Sequence, residues 1–85
     1  MERRHDELLT ARLEEVMLNG SSHITSNELY HWYDVQKLAA NTWRDLKNRW
    51  EEVTEGKAGP LKMVDGLGGI FLHDGNKSKF VDPDT

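Results

Sequence analysis

The apolar spacing of the chain changes between Gly56 and Pro60, and this change limits the fold more than any other feature. Before it, apolar residues recur at helical spacing, whereas after it two short apolar runs flank a glycine-rich turn. Proline lacks a backbone donor and stops a helix, so the two parts are sharply separated. The sequence therefore predicts an α+β fold, with three helices followed by a C-terminal β-hairpin or a small antiparallel sheet.

The size and composition of the chain limit its organisation and its setting. Eighty-five residues, 36% of them apolar, are enough for one core, so we expect a single domain over 1–85 with 1–5 and 82–85 frayed. Without cysteine there is no disulfide framework, and intracellular proteins are normally held together by packing alone. No apolar run approaches the roughly 20 residues of a membrane span, and no signal-type stretch follows the charged start. We therefore expect a cytoplasmic protein that has no membrane partner.

Three segments carry the spacing of helices with one buried face. They run from Asp6 to Leu18, from about Ser26 to Val35 and from about Ala40 to Thr54. The second has the clearest start, because Thr25 is able to cap the third amide and Glu28 is able to return the hydrogen bond. We expect these helices to share one core, in which Trp43, Leu46 and Trp50 are buried against Leu13 and Trp32.

The strand signals lie on both sides of the second and third helices. A minimal strand at Ser21–Ile24 precedes them, and the segments Leu61–Asp65 and Ile70–His73 form a hairpin around Gly66–Gly69. Leu67 is then an exposed apolar tip. A second turn signal at Asp74–Lys77 precedes a third strand at 78–81. The sequence therefore leaves open which of the two turns forms the protruding tip of the sheet.

In this order the elements resemble the winged helix-turn-helix superfamily over about residues 6 to 81. The resemblance is carried by the runs Ile24–Leu29, Leu38–Leu46 and Trp50–Val53. In that superfamily an I-T-x-x-E-L start opens the second helix, and T-Φ-x-x-L, with Φ apolar, opens the recognition helix. Trp43 fills Φ here. The resemblance implies a third helix that reads the major groove of DNA and a hairpin, the wing, that contacts phosphate or the minor groove.

The third helix supplies most of the candidate contacts. With its apolar stripe inward, helical projection places Asn41, Arg44 and Asn48 on the outer face. Arg pairs bidentately with guanine and Asn with adenine, whereas Lys47 and Arg49 on the flanks suit phosphates. The complete predicted DNA-binding set, including the lysines after the second turn, is Ala40, Asn41, Arg44, Lys47, Asn48, Arg49, Lys77 and Lys79.

Charge supports and opposes this interpretation. The net charge of −4 argues against nucleic acid as a partner. The segment from Lys37 to Arg49, however, contains four basic residues and only one acidic residue. That acid, Asp45, opposes DNA contact most strongly unless it pairs with Arg44, with Arg49 or with a cytosine amino group.

Two functions from different classes remain open. One is a transcriptional regulator that binds double-stranded DNA, as a homodimer through the first helix, since a lone module reads few base pairs. The other is a winged-helix adaptor or inhibitor that binds a protein partner and no DNA, favoured by the acidic total charge and by Leu67. Salt dependence of binding separates them.

Nothing in the sequence indicates catalysis, a cofactor or a metal. The Ser and Thr residues lie at caps and turns, and there is no cysteine nucleophile. Gly66–Gly69 is not followed by a helix, unlike the glycine-rich loops that hold phosphates. The four histidines show no zinc-ligand spacing. We therefore expect a protein that is not an enzyme and needs no cofactor.

Overall fold

The structure is a computed structural model that describes residues 1–77. Its elements are α1 (Arg3–Asn19), β1 (Ser21–Thr25), α2 (Ser26–Tyr33), α3 (Ala40–Thr54), β2 (Leu61–Gly66) and β3 (Gly69–Asp74). This is the α+β layout of a winged helix, so the predicted fold class is confirmed. The strand predicted at 78–81 and the frayed end predicted at 82–85 lie outside the described residues.

The three strands form one antiparallel sheet in the order β1-β3-β2. β3 is the central strand, with Ile24 of β1 opposite Ile70 and Met63 of β2 opposite Leu72. Because side chains alternate along a strand, one face of the sheet turns its apolar residues toward the helices. The core between the sheet and the helices consists of Leu9, Leu13, Val16, Ile24, Leu29, Trp32, Leu46, Trp50, Leu61, Ile70 and Leu72.

The helix boundaries agree best with prediction where local signals are strongest. α3 begins and ends where its spacing indicated, at Ala40 and Thr54. α2 ends at Tyr33 because Asp34 adopts the left-handed conformation, which Asp tolerates better than most residues. α1 begins at Arg3 rather than at Asp6, so residues 3–5, expected to be frayed, are part of this helix, and the ring of His5 packs against that of His31.

The predicted capping box at the start of α2 is present. The Glu28 amide donates to Thr25 Oγ1 at 3.1 Å, and the Thr25 amide donates to Glu28 Oε1 at 3.0 Å. Arg12 of α1 adds a hydrogen bond of 2.8 Å to Glu28 Oε2 and one of 2.7 Å to the His23 carbonyl. Burial alone raises the pKa of Glu28, but the Thr25 hydrogen bonds and the Arg12 charge outweigh it and hold this pKa below its usual value.

The two tryptophans of α3 occupy different environments. Trp50 is fully buried, as predicted, and its indole N–H donates to the Gly59 carbonyl at 2.9 Å. Trp43 is only half-buried at the edge of the core, so the prediction that it is buried was wrong. Its ring borders an open groove beside Lys47 and Met63.

The β2–β3 hairpin, which we call the wing, ends in a two-residue turn. Leu67 and Gly68 both have positive φ, of 50° and 68°, as a type I′ turn requires. Leucine is unusual in this conformation, which Asn and Gly adopt readily. Leu67 is 82% exposed, as expected for an apolar tip, so packing does not offset its backbone strain.

Replacing Leu67 by Asn is therefore expected to raise the free energy of unfolding by about 0.5–1 kcal/mol, because Asn tolerates the left-handed conformation. Chemical denaturation of both proteins measures the difference. Leu67→Ala is the matched control, since it removes the same exposed side chain but keeps a Cβ at positive φ. Equal stability of the Asn and Ala variants would show that the turn is unstrained.

Candidate nucleic-acid interface

The exposed face of α3 divides into two halves of different charge. In the first two turns the exposed residues are basic or neutral, and they are Ala40, Asn41, Arg44, Lys47 and Asn48. In the last turn and at the C-cap they are the acids Glu51, Glu52 and Glu55. The positive charge is thus confined to the N-terminal half, where the predicted base-reading residues lie.

The side chain of Asp45 is 41% exposed, but its carboxylate is engaged by two neighbours. Its Oδ2 accepts hydrogen bonds of 2.6 Å from the Tyr33 hydroxyl and of 2.6 Å from Arg49 Nε. Arg49 also forms an ion pair with Asp6 of α1. We call these four residues the Asp45 cluster; it joins α1, α2 and α3.

The contacts within the Asp45 cluster fix the protonation states of Asp45 and Tyr33. Burial raises the pKa of Asp45, but the hydrogen bonds from Tyr33 and Arg49 and the Arg49 charge outweigh it, so this pKa lies below its usual value. Burial, followed by the hydrogen bond to Asp45 and the negative charge of Asp45, raises the pKa of Tyr33 above its usual value. At neutral pH the carboxylate is therefore ionised and the phenol is protonated.

Arg49 is the predicted contact residue whose surroundings fit the prediction least well. Its guanidinium lies between the carboxylates of Asp6 and Asp45, and its side chain is only 21% exposed. Two acids already compensate its charge, so a phosphate would have to compete with both. Arg49 therefore links α3 to α1 through its ion pair with Asp6.

Arg44 and Lys47 are placed differently from Arg49. Both are exposed, and among residues 1–77 neither lies within ion-pair distance of an acid. The i,i+4 pair of Lys47 with Glu51, which the sequence offered as an ordinary role for Lys47, is not formed. Their charges are available to a ligand in solution.

The wing lies beside the basic half of α3. A groove of about 360 Å³ separates them, lined by Trp43, Lys47, Met63, Asp65 and Ile70. Since Asp65 and Ile70 flank the hairpin turn, the wing tip is at the same end of the domain as the start of α3. This identifies Gly66–Gly69 as the wing turn, an assignment that the sequence left open.

Lys77, predicted as a DNA contact after the second turn, does not lie in the β2–β3 hairpin. The Asp74–Lys77 turn follows β3 at the end of the sheet opposite the wing tip. There the Lys77 ammonium donates to the Met17 carbonyl at 2.6 Å, near the C-terminus of α1, where the helix dipole favours a cation. Lys79 lies outside the described residues.

Sequence reasoning missed the long-range contacts of the site. The pairing of Asp45 with Arg49 was one of the alternatives that the sequence left open, whereas their contacts with Tyr33 and Asp6 require the tertiary fold. Two histidine contacts were also missed. The rings of His5 and His31 lie 4.6 Å apart, and His23 packs at 4.6 Å against Phe71 on the outer face of the sheet.

Comparison with protein families, curated proteins and solved structures gives no match. Within the described part of the chain, His, Asp and Glu side chains form no group of three or more suited to a metal ion. None of the helices in residues 1–77 is long and apolar enough to cross a membrane.

Proposed function

We propose that this protein is an intracellular winged-helix transcriptional regulator that binds double-stranded DNA. The first half of α3 reads the major groove, and the wing, whose tip carries no cation, reaches phosphate or the minor groove with the backbone amides of its turn. The observation that carries the proposal is the position of Asp45, whose carboxylate is held by Tyr33 and Arg49. The one acid in the basic stretch is thereby engaged by its neighbours, at the cost of Arg49, which also pairs with Asp6, and Arg44 and Lys47 remain exposed.

Each exposed residue of the first half has a distinct role in this proposal. Arg44 pairs with a guanine through two hydrogen bonds, and Asn41 and Asn48 are suited to adenine. Lys47 lies nearer the wing, where it contacts phosphate. Ala40 has no polar side chain, so it allows the start of the helix to approach the base edges.

The acidic half of α3 sets the orientation of docking. Glu51, Glu52 and Glu55 repel phosphates, so the helix enters the groove with its N-terminal turns and leaves it with its C-terminal turns. The N-terminal end of the helix dipole is positive, which favours the same orientation.

Selection of binding sites from random double-stranded DNA, followed by titration of the variants Arg44→Ala and Lys47→Ala, tests the proposal. Arg44→Ala is expected to weaken specific binding by about 1–3 kcal/mol and to relax the preference at one base pair. Lys47→Ala is expected to weaken binding to all sequences alike and to flatten its salt dependence by about one unit of slope.

Lys57→Ala is the matched control, because Lys57 follows the acidic end of α3 and pairs with Glu55 at 3.5 Å. It should bind DNA as the wild type does. Failure to enrich any DNA sequence, or losses for Arg44→Ala and Lys47→Ala no larger than for Lys57→Ala, would reject the proposal.

A protein adaptor is the second candidate function, and the wing is the feature that favours it. Leu67 is 82% exposed and Val64 is 54% exposed, so the wing presents apolar surface and no cation at its tip. A wing that binds a protein would do so with little dependence on salt. Tight binding of a protein partner that survives Arg44→Ala and is lost in Leu67→Asn would support this function.

A further inference from the structure

An exposed stripe runs along the side of α1 that faces away from the core. Arg4, Leu8, Ala11, Glu15 and Leu18 are all exposed and follow one another at spacings of four and three residues. At 100° per residue they fall within an arc of roughly 80°, opposite the buried Leu9, Leu13 and Val16. This alternation is the spacing of a coiled-coil seam.

The stripe contains apolar side chains that the monomer leaves uncovered. Leu18 is 75% exposed and Leu8 is 43% exposed, and both are among the exposed large apolar residues of the described chain. Ala11 between them is small enough for a second helix to approach closely. The stripe is therefore apolar near its centre and at its C-terminal end.

Charge along the stripe selects one way to pair it with itself. Arg4 lies near its N-terminal end and Glu15 near its C-terminal end. A parallel pair of such helices would place like charges against each other. An antiparallel pair places Arg4 against Glu15 of the second copy and Leu8 against Ala11 of the second copy, and each contact occurs twice about a twofold axis.

One flank of the stripe carries Arg3, Glu7 and Glu14, and the twofold axis sets this flank against the same flank of the second copy. Glu7 then lies near Glu14 of the second copy, and Arg3, which pairs with Glu7 at 3.1 Å, opposes this repulsion in part because it also lies near that Glu14. Arg12 borders the stripe on the other side, where Glu28 holds its guanidinium. The antiparallel arrangement also brings the positive end of each helix dipole beside the negative end of the other.

We infer that the protein is a homodimer in which the α1 stripes of two copies pack antiparallel. The interface is isologous, with Leu8 and Ala11 at its centre and an Arg4–Glu15 ion pair on each side of the axis. Leu18 of each copy lies beside the N-terminal end of the other, where Met1 is also exposed. This dimer stands on the α1 geometry alone and goes beyond the proposed binding of DNA.

Sedimentation equilibrium of the full chain without nucleic acid, from micromolar to millimolar concentration, tests the dimer. The wild type is expected to show a monomer–dimer equilibrium. Arg4→Glu and Glu15→Arg each convert two attractive contacts into repulsive ones, so each is expected to weaken dimerisation about tenfold or more. The double variant R4E/E15R reverses both charges and is expected to restore dimerisation.

Lys62→Glu is the matched control, since it makes the same change of charge at an exposed residue of β2, away from the stripe. It should dimerise as the wild type does. The four variants alter exposed side chains, and melting curves verify that they fold. A monomeric wild type, single variants that dimerise normally, or a double variant as weak as the single ones would each overturn the antiparallel dimer. Because DNA is absent, these results are independent of DNA binding.

Discussion

Replacing Trp50 by Ala is expected to lower the free energy of unfolding by about 3–5 kcal/mol, the usual range for truncating a buried aromatic. Trp50 is the largest fully buried side chain of the core, and its indole reaches the segment after α3. Removing its ring leaves a cavity that the surrounding leucines fill only in part, and the Gly59 carbonyl loses its donor. Urea denaturation followed by circular dichroism measures the loss.

Two further substitutions show where this loss comes from. Trp50→Phe keeps most of the apolar volume but removes the indole N–H, so it is expected to cost about 1–3 kcal/mol. Trp43→Ala removes an equally large ring from a half-buried site and is expected to cost clearly less than Trp50→Ala. Equal losses at positions 43 and 50 would contradict the difference in burial on which the expectation rests.

The elements of this fold were predictable because their signals are local. The spacing of Leu46 and Trp50 set the buried side of α3, and the capping box at Thr25 and Glu28 fixed the start of α2. The glycines after Asp65 placed the hairpin turn. Each of these features depends on residues within a few positions of one another, so a single sequence contains them.

The site was predictable only in part, because its charges are set by distant residues. The projection of α3 gave the exposed positions of Asn41, Arg44 and Asn48 correctly. It did not show that Asp6 of α1 and Tyr33 of α2 meet Arg49 and Asp45, since these contacts depend on how the helices pack. The environment of Lys77 was missed for the same reason.

β1 pairs with β3 of the wing, and at Gly69, opposite Thr25, the backbone of β1 leaves no room for a side chain. A Cβ at this position would lie 2.1 Å from the Ile24 carbonyl oxygen and 2.6 Å from the Thr25 Cα. Both atoms belong to the backbone of β1, so no change of side-chain rotamer relieves the clash. The neighbouring hydrogen bond from the Ser26 amide to the Gly68 carbonyl, at 2.9 Å, depends on the same approach.

Gly69→Ala is therefore expected to lower the free energy of unfolding by about 3 kcal/mol, the upper end of the usual cost of overpacking, because strands have to separate. Gly68→Ala is the matched control. Its Cβ would meet nothing within 4 Å, but its φ of +68° is unfavourable for alanine, so about 1 kcal/mol is expected. Denaturation of both variants separates steric exclusion from backbone strain. A loss at Gly69 no larger than at Gly68 would show that β1 and the wing move apart easily, and the wing would then not be held in a fixed position beside α3.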